Sequence, residues 1–150
     1  MTKTELIQIL SGCIGSIGFG ILFNIRGKRL AAAGLGGLLS WLLYVLFSHM
    51  TASETACYFL VALLLGIYSG VLARIMKTPA TAFAITSLIP LIPGGSLYYT
   101  MASAFEGDFE IFLEKAVHTL GLSAALALGI ILATALTRSA FHLFSRKSAG

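Results

Sequence analysis

The chain has 150 residues, of which 57% are hydrophobic and only 11% charged, too little polar surface to cover a soluble globule. That composition describes an integral membrane protein and excludes a freely soluble domain. The net charge of +4 does not signal nucleic acid, because the basic residues are scattered between apolar runs and do not gather on one face.

Residues 6–25 form the first uncharged run, with Gly12, Ser16 and Gly20 on one helical face. No small-x-small cleavage site follows, so the run reads as a retained span and not as a removed leader. Asn24 closes it before "IRGKR", either as a polar group that orients a substrate hydroxyl or amine or as a helix terminator. The second run, 30–48, aligns Ala32, Gly36 and Ser40, and carries Trp41, Tyr44 and Phe47 as packing or lipid-facing aromatics. The third, 55–73, contains Gly66 and Gly70 in a GxxxG spacing. Cys13 and Cys57 lie within apolar runs, away from any His or carboxylate cluster, and read as small buried hydrophobes. No metal or cofactor is expected.

The fourth run, 79–105, contains "SLIPLIPGGSLYYT" at 87–100. Between it and the fifth run, Phe105, Phe109, Phe112, Leu113 and Ala116 recur at helical spacing beside Glu106, Glu110 and Glu114. This pattern predicts a short amphipathic helix lying in the outer interface, the alternative being a solvated extension of the fifth helix. The fifth run, 116–137, places Gly121, Ala125, Gly129 and Ala133 on one face, with His118 at its edge as an interfacial histidine. His49 and His142 lie in loop and tail and carry no assigned chemistry. Each run approaches or exceeds the roughly 20 residues that cross about 30 Å of hydrocarbon, and none shows barrel-strand alternation. The expected fold is all-α, a single transmembrane domain over 1–150 with five spans, the fourth broken near the bilayer midplane.

Charge sets the expected direction. Arg26, Lys28, Arg29, Arg74, Lys77, Arg138, Arg146 and Lys147 share one side, against Lys3 and Lys115 on the other. By the positive-inside rule the N-terminus is outside and the C-terminus cytoplasmic. All six acids then fall on the outer side.

The break at 90–95 has the most specific chemistry. Pro90 and Pro93 lack amide hydrogens, so the carbonyls of Thr86 and Ile89 lose their helical donors, and Ile89 and Ile92 are pushed toward extended backbone. Gly94 and Gly95 add conformational freedom. Unpaired peptide groups at this depth cost several kcal/mol each in hydrocarbon unless protein or a wet cavity receives them. A fresh helix from about Gly94 offers the amides of Gly94, Gly95, Ser96 and Leu97, the Ser96 hydroxyl and the positive end of the dipole to an anion such as a carboxylate. Discontinuous transporter helices use the same device. Tyr98 and Tyr99 lie one turn on, either reaching the anion or sitting as interface tyrosines. Thr100 is expected to bond back to its own helix. The plainer reading is a break repaired by neighbouring side chains.

"GFGILFN" at 18–24 and "TPATAFAITSLIPLIPGGSLYYTM" at 78–101 resemble the threonine/serine exporter family, in particular the small subunit of its two-component, succinate exporter-like branch. The residues that carry the likeness are the Phe-Asn pair closing the first helix, and Ile89, Pro90, Pro93, Gly94, Tyr98 and Met101. The resemblance implies a bacterial inner-membrane exporter of small carboxylates or amino acids in which a larger membrane subunit completes the assembly, and not an enzyme. No span contains Asp, Glu, Lys or Arg, so a proton-coupling group would belong to the partner. The small faces suit contact with that partner, or within a higher oligomer, as well as packing within the chain. Pro90, Pro93, Gly94, Gly95, Ser96, Tyr98, Tyr99 and Asn24 are the expected substrate contacts. A non-transporting membrane scaffold is the competing reading.

Overall fold

The structure is a computed structural model that describes residues 2–147, with side chains to Phe141. Six α-helices follow in order: α1 (Lys3–Leu22), α2 (Lys28–Met50), α3 (Glu54–Ile75), α4 (Ala80–Leu88), α5 (Gly94–Glu106) and α6 (Phe109–Lys147). A 3-10 turn, Ile89–Leu91, extends α4. No strand occurs among the described residues.

Local chemistry sets the boundaries. Thr2 and Glu5 form a reciprocal capping box at the start of α1. Asn24, at φ 58°, ends that helix in the left-handed region while the Ile25 amide returns to the Gly20 carbonyl at 2.8 Å. Lys77, at φ 49°, repeats this motif after α3, with Thr78 bonded back to Ala73. Gly107, at φ 82°, ends α5, and Asp108 caps α6 through the Ile111 amide at 3.2 Å.

Four helices are long and apolar enough to cross a bilayer: α1, α2, α3 and α6. The α4 and α5 segments lie at 56° to one another across the break, and the number rises to five if they make one crossing. The expected separate interfacial helix is absent among the described residues, because α6 runs unbroken from Phe109 through the whole of the last apolar run. The reason is local: no proline or glycine falls between Gly107 and Gly121 to stop it. The alternative, an extension of the fifth helix, is the observed one. Leu6, Ile14, Leu22, Phe105 and Leu120 are among many large apolar residues on the outside, as a lipid-facing surface requires.

Close backbone approach holds the bundle together. A Cβ on Gly12 would stand 3.1 Å from the Gly37 carbonyl oxygen, and one on Gly34 would meet Ile17, so α1 and α2 pack through glycine. α3 and α6 run parallel, with Gly129 against Ala62, Gly66 against Ala133 and Gly70 against Thr137. The main core joins Val61, Ala62 and Leu65 of α3 with Leu88, Leu91, Leu122 and Leu126. Much of the small-residue surface is therefore used inside the chain, although Gly15, Gly18 and Gly121 face open space.

Polar contacts sort the two ends. At one end Glu5 meets His49 at 3.1 Å, and Glu54 meets both Tyr44 and His118 at 3.2 Å. At the other, Arg29 donates to the Met76 carbonyl and the Arg74 guanidinium stacks 3.9 Å over the Phe141 ring. The basic loops thus share one end of the bundle, opposite the acids. The side chains of His142, Arg146 and Lys147 lie outside the described part.

Candidate functional site

Pro90 leaves the Thr86 carbonyl without its helical donor, and a residue from another helix supplies one. The Ser16 hydroxyl, fully buried on α1, donates to Thr86 O at 2.7 Å. Gly12, one turn earlier, lets the Pro90 ring come close, since a Cβ there would be 3.5 Å from Pro90 Cβ. The Ile89 carbonyl accepts the Ile92 amide at 3.2 Å. Contrary to expectation, Ile89 stays helical at φ −50°, ψ −46°. The tighter 3-10 turn accommodates Pro90 at its second position, so the chain unwinds only at Ile92, at φ −59°, ψ 126°.

The donors at the start of α5 are fewer than the sequence suggests. Gly94 N–H bonds to the Ile92 carbonyl at 2.6 Å and Leu97 N–H to the Pro93 carbonyl at 3.0 Å. Gly95 and Ser96 keep amides with no acceptor among the described residues. Both glycines are exposed, and a Cβ on either would meet nothing within 4 Å.

Beside this helix start lies a pocket of about 460 Å3 lined by Ser96, Tyr99, Glu114, Lys115, His118 and Thr119. Packing of α5 on α6 builds it. Thr100 and Thr119 hydroxyls meet at 3.0 Å across the two helices, and Thr100 also donates to the Ser96 carbonyl at 2.8 Å, the back-bond expected of it. The lining offers an ammonium, a carboxylate, an imidazole and hydroxyls. Lys115 and the Ser96 hydroxyl can face a carboxylate, and Glu114 an ammonium group.

Of the expected contacts, Ser96 and Tyr99 enter this pocket. Tyr98 is 68% exposed and stacks edge-on against Tyr99, with centroids 5.4 Å apart, but does not line the pocket. Pro90 lines a different cavity of about 380 Å3 with Gln8, Ser11, Gly12, Gly15, Trp41 and Ile89. Pro93, Gly94 and Gly95 line neither and form the turn that aims α5. Asn24 is not brought to the break. It lies eight residues past Ser16, about 12 Å along the α1 direction, and its Oδ1 accepts from Arg26 Nε at 3.0 Å.

Sequence reasoning missed Ser16, Glu114, Lys115 and Thr119. Ser16 was visible only as the polar member of a small-residue face. The other three share one side of α6 and become legible once that helix is read as continuous. Among the described residues no three His, Cys, Asp or Glu side chains gather as metal ligands, and Cys13 and Cys57 are free thiols.

A family profile described as Threonine/Serine exporter, ThrE, matches residues 8–136. Comparison with curated proteins and with solved structures gave no match. The matched stretch takes in α1, the repaired break, and the α5–α6 pocket, and on that coverage the chain belongs to the threonine/serine exporter family.

Proposed function

We propose that the chain is the small subunit of a two-component exporter of small organic anions or amino acids, of the succinate or threonine/serine class, in a bacterial inner membrane. A larger membrane subunit completes it. In this reading α4 and α5 make one broken crossing, the N-terminus is outside, and the substrate carboxylate rests at the start of α5 with Lys115 and Ser96 beside it. The observation that carries the reading is the pair of uncovered amides at Gly95 and Ser96, next to a pocket with both signs of charge. The exposed flank of α5, with Ile92, Leu97, Tyr98, Met101 and Phe105, is the surface that the larger subunit would cover.

The scaffold alternative draws on the Ser16 hydrogen bond, which repairs the Pro90 gap without any guest. Transport separates the two. Co-reconstituted with the larger subunit in proteoliposomes, the chain should move a labelled dicarboxylate or amino acid, and Gly94→Leu with Gly95→Leu should reduce flux at least tenfold. Because open space surrounds both glycines, the double variant should still fold. Absence of transport by the reconstituted pair, or full flux in the variant, would favour the scaffold.

A further inference from the structure

A second cleft opens at the basic end of the bundle, remote from the α5–α6 pocket. Gly66, Ser69 and Gly70 of α3 form its floor, the first turn of α4 at Ala80 and Thr81 one wall, and α6 with Arg138 the other, enclosing about 340 Å3. Three of its groups lack partners. Ser69 is only 1% exposed, yet its hydroxyl has no hydrogen-bond partner among the described residues. α4 starts without a side-chain cap, because Pro79 offers none and the Thr78 hydroxyl donates instead to Met76 O. The Ala82 amide turns back to the Pro79 carbonyl at 3.2 Å, but those of Ala80 and Thr81 have no acceptor among the described residues, and the positive end of the dipole points into the cleft mouth.

Arg138 completes the set. No acid occurs between Glu54 and Glu106 or after Glu114, and those acids mark the opposite end of the bundle. Among the described residues no carboxylate pairs with the Arg138 guanidinium. Arg74, by contrast, is engaged on Phe141. A buried unsatisfied hydroxyl, a helix start without a side-chain cap and a guanidinium with no acid beside it among the described residues, all around one cleft, ask for the same guest, an oxyanion.

We propose that this cleft is a second binding site for a small carboxylate on the basic side of the membrane. Arg138 and the α4 amides face the carboxylate, and Ser69 donates to it or to another oxygen of the ligand from the floor. The inference rests on the exporter reading for its ligand class, and it makes the cleft a loading station ahead of the α5 site. A lipid phosphate shares the charge, but the depth of Ser69 and the short glycine and alanine walls suit a ligand that enters whole.

The test is calorimetric titration of succinate and of threonine into the full chain in phosphatidylcholine nanodiscs. Arg138→Gln and Ser69→Ala should each weaken binding of at least one of them, the first by tenfold or more. Gly18→Ala, on an open face of α1 away from both sites, should leave this binding unchanged. Wild-type affinity in both cleft variants would overturn the proposal. So would a cleft that takes no carboxylate but retains phosphatidylglycerol in an Arg138-dependent way, since that outcome makes it a lipid seat. Failure of transport with cleft binding intact would sink the exporter reading alone, whereas normal transport with unaltered binding in Arg138→Gln would sink the cleft alone.

Discussion

Ser16 and Ser40 are both fully buried serines on neighbouring helices, yet they do opposite things. Ser16 donates to a carbonyl that Pro90 has stripped of its partner, whereas the Ser40 hydroxyl has no partner among the described residues. Ser16→Ala should therefore lower stability by about 1–2 kcal/mol, because the Thr86 carbonyl is left unsatisfied in a low-dielectric interior. Ser40→Ala should be neutral or slightly stabilising, because it removes a polar atom that gains nothing from burial. Thermal unfolding in detergent decides this, and equal losses in the two variants would contradict the assignment. The proline half of this arrangement was readable in the sequence, since a missing amide is a property of the residue itself. The serine half was not, because its donor comes from 70 positions away and depends on how α1 crosses α4. Asn24 shows the reverse: its left-handed backbone and its bond to Arg26 are local, and the helix-terminating role was already one of its two readings.

Helices in this protein meet through glycine, and the consequences of a methyl group differ sharply with position. On Gly129 a Cβ would approach the Phe59 carbonyl oxygen to 2.7 Å and the Leu63 nitrogen to 3.1 Å, so backbone must move. Gly129→Ala should cost roughly 1–3 kcal/mol by overpacking. Gly121→Ala, on the same helix with nothing within 4 Å, should be tolerated or stabilising through helix propensity. A denaturation series on the two variants checks the contrast. The break offers a second test: replacing Pro90 and Pro93 together by alanine restores two amide donors and should straighten the 56° bend. Spin labels on α4 and α5 would report a longer separation, and an unchanged distance would show that the prolines do not set the angle. Helix existence and the site of the break could be read from hydropathy and proline spacing. The fate of the glutamate stripe at 106–114 could not be settled by amphipathicity, which looks the same in an interfacial helix and in the protruding end of a long one.

For the molecule as a whole, segregation of charge predicts orientation. With Lys28→Cys and Asp108→Cys placed separately in a background lacking Cys13 and Cys57, a membrane-impermeant maleimide should label the second in intact cells and the first only after lysis. The reverse pattern would invert the topology. The sequence carries this expectation because basic loops bias insertion directly. The α5–α6 pocket needed tertiary packing, since Ser96 and Lys115 belong to different helices and meet only through the Thr100–Thr119 register. α6, at 39 residues or about 58 Å, is far longer than the roughly 30 Å of hydrocarbon, so it must tilt or protrude.

The parallel seam between α3 and α6 has a further consequence. Its pairs, Ala62 with Gly129, Gly66 with Ala133 and Gly70 with Thr137, share one numerical offset. Sliding α6 by a single turn, about 6 Å, would set Gly66 against Gly129, Gly70 against Ala133 and Ala62 against Ala125, small side chain on small side chain once more. At these three positions small residues therefore match on two notches of the same rail. The rod rests at the first notch, where Leu122 and Leu126 lock into the α3 core and, at the acidic end, an imidazole meets a carboxylate in the His118–Glu54 pair.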